Sequence, residues 1–203
     1  MTPHPYQVVR DFEHALAEFC GSKYAVTTDS CTSALLLCLD YWFADCGRGE
    51  ITIPARTYPS VPCSIIHAGG TVRFEDLDWK GIYQLKPLPV WDAAKRFHRD
   101  MYPFTDEFMC LSFHSKKHLP IGRGGCILTD DILAVEYLRR ARFDGRHECA
   151  LVDDPEFILG RNCYMTPEQA ARGLVLLSMA GDGFEDLVED PPYPDLSKME
   201  CYR

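Results

Sequence analysis

Ser112, His114, Lys116 and Lys117 stand in the stretch LSFHSKKHLPIGRGG, residues 111–125. There an apolar run from Phe108 to Phe113 gives way to a polar turn and a glycine pair, and a second apolar run, Cys126 to Leu128, follows. A lysine just beyond a buried strand, with a glycine-rich return behind it, can be held partly out of water and used as a nucleophile on a carbonyl. Loop lysines are ordinarily solvated surface; the company this pair keeps sets it apart. Asp29, Ser30, Cys31, Thr32 and Ser33 lie between a strand-like run, YAVTT, and the strongly apolar ALLLCLDYWF. A helix opening there would offer unpaired N–H groups and the positive end of its dipole, a seat for a phosphate. An ordinary Ser/Thr helix cap looks the same. Tyr58 and Asp92 each follow a further apolar run, Ile51–Pro54 and Leu88–Val90.

These residues need a frame to bring them together. Val9, Phe12, Leu16 and Phe19 recur at helical spacing, predicting an amphipathic helix over 4–20 that stops near Gly21. Strands are expected at 24–28, 51–54, 71–77, 88–90, 108–113 and 125–129. Helices are expected after Ser33, after Pro59, over 132–143 and after Thr166, where Thr-Pro-Glu-Gln has the form of a capping box with proline at the first helical position. Alternating strands and helices with nearly continuous apolar strands predict an α/β fold: three layers, αβα, around a mostly parallel sheet. In such sheets the loops at the strands' carboxyl ends converge on one crevice. The loops in question carry Ser30–Ser33, Tyr58, Asp92 and the lysine turn. A phosphate seat, an aromatic ring, a carboxylate and a lysine in one crevice are the equipment for holding pyridoxal phosphate (PLP).

Composition narrows the class. With 203 residues, 46% of them hydrophobic and 25% charged, the chain suits one globular domain, read as residues 1–185 followed by a proline-rich acidic tail, 186–203. No apolar run approaches the ~20 residues of a membrane span, and the N-terminus lacks the pattern of a signal peptide, so a cytoplasmic protein is expected. The ten cysteines form no C-x-x-C pair, and Cys38, Cys110 and Cys126 fall in apolar runs, so they read as reduced core residues, with no metal site. A net charge of −9 disfavours broad nucleic-acid binding. Residues 95–147 nevertheless hold ten Lys/Arg against seven Asp/Glu, a local +3 that is read first as a solvated mixed surface and second as a basic patch.

In order along the chain, FEHALAEFCGSKYAVTTDSCTSAL, IPARTYPS, VWDAA, LSFHSKKHLPIGRGGCILTDD and GRNCYMTPEQAARGLVLL resemble five segments of the DegT-type PLP enzymes, best known as sugar aminotransferases of the fold type I group. The resemblance runs from Phe12 to about Leu177 and covers that family's large domain. It implies that Lys117, not Lys116, is the Schiff-base lysine, five residues after Ser112. It further implies that Cys31, Thr32, Ser33 and Ser112 surround the cofactor phosphate, that Asp92 pairs with the pyridine nitrogen and that Tyr58 stacks on the ring. Asn162 matches an asparagine that in relatives reaches the neighbouring subunit's phosphate, so a homodimer with its site at the interface is implied.

The pattern is broken in places. The family's small C-terminal domain is not represented, and only WKGIYQLKPLPV separates Asp78 from Trp91, where relatives have a strand–helix crossover. Lys95 stands where glutamine or histidine is usual, Arg123 replaces a glutamate, and Tyr164 replaces a basic residue. The expected activity is amino-group chemistry through Lys117, first as a sugar-type aminotransferase using a small amino donor. The second expectation is a decarboxylase acting on an amino acid attached to a bulky carrier such as modified DNA, with nucleic acid entering only as substrate. The third is a non-catalytic remnant or dimeric regulator.

Overall fold

A computed structural model describes residues 4–189 and 192–202. Helix α1 (Gln7–Cys20) turns its Val9, Phe12, Leu16 and Phe19 face inward and ends at Gly21, whose left-handed backbone caps it. Then come β1 (Tyr24–Thr28), α2 (Cys31–Cys46), β2 (Glu50–Pro54), α3 (Ser60–His67) and β3 (Thr71–Glu75). They are followed by β4 (Tyr83–Gln84), β5 (Val90–Asp92), β6 (Phe108–Ser112), β7 (Gly125–Thr129), α4 (Ile132–Ala141) and α5 (Pro167–Ser178). The capping box at Thr166 and Gln169 forms as the sequence predicts.

Strands β1-β7-β6-β5-β4 form one sheet and β2-β3 a second. A single antiparallel bridge between Thr52 and Lys86 links them, so the order across the molecule reads β3-β2-β4-β5-β6-β7-β1. The pairings set β1, β2, β3, β5 and β6 in one direction and β4 and β7 in the other. The expected parallel majority therefore holds for strand direction, while three of the five strand pairs are antiparallel. The reason is local: β7 returns from β6 through the lysine turn, and β4 turns back into β5 across five residues, too short for a helical crossover. The segment Trp79–Lys86, to which the sequence assigned no element, thus supplies β4 and the bridge to the second sheet.

Alternate side chains of each strand fill two cores. Val26, Phe108, Cys110 and Ile127 meet α2, α3 and α4 on one face. Ala25, Met109, Leu111, Cys126 and Leu128 meet α1 and α5 on the other, completing three layers. A Cβ at Gly173 would come within 2.5 Å of the Phe12 ring, so α5 lies against α1 with no room for a side chain. All ten cysteines are free, with Cys38, Cys110 and Cys126 buried as expected. No described helix is long and apolar enough to cross a membrane.

Candidate active site

The N-terminus of α2 is built by its own side chains. Ser30 caps the helix, accepting from the Ser33 N–H at 3.2 Å. Asp29 Oδ1 accepts from the hydroxyls of Ser30 (2.9 Å) and Ser33 (2.6 Å), and Arg123 neutralises its other oxygen at 2.7 Å. Thr32 donates to Ser60 at 2.8 Å, tying α2 to α3. The N–H groups of Cys31 and Thr32 find no acceptor among the described residues. Gly125 lets β7 pass directly beneath this turn, since a Cβ there would stand 2.4 Å from Ser30 C and 2.5 Å from Cys31 N. Ser112 is its cross-strand partner, which places that hydroxyl on the edge of the same seat.

Asp92 ends β5 and is 4% exposed. Its oxygens accept from the Tyr83 hydroxyl at 2.8 Å and the Ala94 N–H at 2.9 Å, both neutral donors. Burial raises its carboxyl above the ordinary range, and these two bonds and the charges of Lys117 and Lys95 only partly offset that. Tyr83 in turn shares a 2.6 Å hydrogen bond with Thr57, and burial beside Asp92 pushes its phenol well up. Tyr83 and Thr57 are site residues that the sequence did not reveal. Tyr83 sits in a short segment to which the sequence assigned no element, and its burial on β4 marks it.

Lys117 is half-buried in the turn after β6, its N–H bonded to the His114 carbonyl at 2.8 Å. Its charge acts on Cys31, Asp92, Lys95 and Glu189, so these groups share one neighbourhood. The Cys31 thiol, buried beside Asp92, is pushed well above its usual range. Tyr58 is exposed, edge-on to Tyr193 with ring centres 6.2 Å apart. Asn162 is not drawn into this group within one chain; it is exposed and donates to Asp144 at 3.0 Å.

The breaks in the family pattern find local partners. Arg123 serves Asp29, and Tyr164 packs edge-on against Tyr6. The surface there is mixed, as read first from the sequence: Lys95, Arg96, Arg99, Arg123, Arg139, Arg140 and Arg142 each pair with a carboxylate, supplied by α1, by the loops holding Asp29 and Glu156, and by the C-terminal region. The segment expected as an extended tail is fastened to the body at several described residues. Leu187 N–H bonds the Lys95 carbonyl, Leu196 is buried with its N–H on the Ala55 carbonyl, and the Tyr202 hydroxyl reaches the Pro59 carbonyl.

The DegT/DnrJ/EryC1/StrS aminotransferase family profile matches residues 3–97 and 102–183. The chain belongs to this family. It is similar to the spore coat polysaccharide biosynthesis protein SpsC of Bacillus subtilis, 43% identical over 184 residues, covering 70% of this chain and 47% of that protein. In fold it is similar to Helicobacter pylori PseC, an aminotransferase involved in the biosynthesis of pseudoaminic acid (TM-score 0.70, 20% identity, 85% of this chain and 57% of that one). The sugar aminotransferase CalS13 from Micromonospora echinospora is similar at TM-score 0.69 and 17% identity, covering 85% of this chain and 60% of that one. The chain thus spans about half the length of SpsC and little more than half of these structures.

PLP is the cofactor of this family, and the residues present fit it. Unpaired N–H groups at the start of α2 suit a phosphate. Buried Asp92, bonded only by neutral donors, suits a cationic ring nitrogen.

Proposed function

We propose that this chain is the cofactor-holding part of a PLP-dependent aminotransferase of the sugar-aminotransferase type. One observation supports the reading: Asp92, a buried carboxylate that among the described residues accepts only from neutral donors, lies within reach of the Lys117 charge, as does Cys31 at the start of α2. When bound, PLP supplies an electron sink for negative charge developing beside the amino nitrogen. Asp92 would hold the proton on the ring nitrogen. Thr32, Ser33, Ser112 and the first N–H groups of α2 would bind the phosphate, and Tyr58 would cover the ring face. Lys117 Nζ would hold the cofactor covalently and, once displaced by the substrate amine, carry the proton to and from the reacting carbon. Asn162, exposed on its loop, would reach the site of a second copy, giving a homodimer with shared sites.

The amino donor would be a small molecule, and the names of SpsC and PseC support a sugar as acceptor. None of the relatives described above is named as a decarboxylase. The test is borohydride reduction of the protein with PLP, followed by peptide mass spectrometry. A pyridoxyl group fixed on Lys117 and absent from Lys117→Ala is the expected result. No label, or a label unchanged in Lys117→Ala, would leave a family fold without the chemistry.

A further inference from the structure

Lys95 is 6% exposed, and a buried ammonium needs a counter-charge. The folded body around it provides an aromatic face, Trp79, 4.9 Å from its Nζ. The other close partners come from the C-terminal segment: Glu189 Oε2 at 3.3 Å and the Tyr193 ring at 4.4 Å. A cavity of about 190 Å³ adjoins the group, lined by Arg56, Trp79, Lys80 and Asp78 from the body and by Glu189 and Tyr193 from the segment. Arg56 is already engaged by Asp76. Without the segment, Lys95 would therefore be a buried cation facing an open pocket, beside Asp92 and Lys117.

The segment is fastened on either side of this contact. Upstream, Asp186 accepts two hydrogen bonds from Arg96, at 3.0 and 2.7 Å, and Leu187 bonds the Lys95 carbonyl. Downstream, Leu196 is buried against Ala55. Val188, next to Glu189, is 78% exposed and contributes nothing to a core.

We propose that Lys95 is the anchor for a carboxylate of an incoming substrate, and that Glu189, with Tyr193 beside it, holds that place until the substrate displaces it. The group already accepted there is a carboxylate, and the cavity holds roughly six waters' volume at ~30 Å³ each, the scale of a small amino or keto acid. A phosphate is less well matched, since neither a helix N-terminus nor a free Arg fork borders the cavity. Burial lowers the Lys95 ammonium from its ordinary range and Glu189 opposes that, so a bound carboxylate would take over the same role. That the carboxylate belongs to the reacting substrate rests on the function proposed above; its binding at Lys95 does not.

Succinate is the probe, because it has neither carbonyl nor amine to react with Lys117. Calorimetric titration of the cofactor-free full chain should show succinate binding weakly to wild type. It should bind about tenfold more tightly to Glu189→Gln and undetectably to Lys95→Gln. Equal affinities for wild type and Glu189→Gln would overturn the proposal, as would binding retained by a folded Lys95→Gln. If Lys95→Gln does not fold, the Glu189→Gln comparison alone decides. Inorganic phosphate binding Glu189→Gln more tightly than succinate would also overturn it, replacing the carboxylate with a phosphate. Failure of the borohydride label on Lys117 would leave all of these titrations unaffected.

Discussion

Gly125→Ala separates a structural glycine from one that builds the cofactor seat. The added Cβ would lie 2.4 Å from Ser30 C and 2.5 Å from Ser30 O and Cys31 N, where ordinary contact begins at 3.4 Å. All three are backbone atoms, so no side chain can swing aside, and the start of α2 must retreat from β7 by about 1 Å. Overpacking of this kind costs about 1–3 kcal/mol. For a domain of this size that is a fall in Tm of roughly 2–12 °C, at about 2–4 °C per kcal/mol. The same retreat carries the unpaired N–H groups of Cys31 and Thr32 away from Ser112, and displacements of ~1 Å in a binding constellation can reduce function about a hundredfold. Gly49→Ala is the control, since a Cβ there meets nothing within 4 Å. Thermal melts and a fluorescence titration with PLP read both effects. If Gly125→Ala melts with Gly49→Ala and binds PLP equally well, the close approach is wrong. If it loses stability but keeps full PLP affinity, the phosphate does not sit on α2.

Asp92→Asn should stabilise the cofactor-free protein while weakening PLP binding at least tenfold. Burial holds the Asp92 carboxyl above its unfolded range, so the wild-type group favours folding at low pH and loses that contribution as pH rises through its folded value. Melting curves from pH 4 to 8 should accordingly diverge in favour of Asp92→Asn toward neutral pH. Glu13→Gln should cost about 3–5 kcal/mol, because it leaves Arg142, 1% exposed, without its closest counter-charge. Burial alone would raise Glu13, but Arg142 and Arg139 outweigh it and hold the group below its ordinary range. Its contribution is therefore present above the unfolded carboxylate value and lost as pH falls through the folded one, so urea unfolding should show wild type and Glu13→Gln converging in acid.

What the sequence made legible were features written in neighbouring residues. The α1 face, the Thr166 capping box and the strand-then-polar-turn units at Ser30 and Lys117 are local patterns, and each appears within a few residues of its expected bounds. Charge pairing was not legible, because its partners lie far apart in the chain. Arg139 meets Glu13 across 126 residues and Arg161 meets Asp40 across 121, so the local excess of Lys and Arg could not say which carboxylates would pair with it. Two residues, Tyr83–Gln84, form a strand too short to carry any period, yet they bring a phenol onto Asp92, and Lys86 just beyond them bridges to Thr52 of the second sheet. The acidic, proline-bearing C-terminal segment has the composition of a solvated tail. Its fastening depends on an arginine after Asp92 and a carbonyl after β2, positions brought together only once the segment around β4 bridges β5 and β2. In this chain, then, the groups expected to contact the cofactor stand in loops announced by local pattern. The groups that tune and cover them, Tyr83, Lys95 and Glu189, are set by contacts between distant segments. Substitutions at Lys117 or Asp92 therefore test whether PLP chemistry occurs, whereas substitutions at Lys95 and Glu189 test what reaches it.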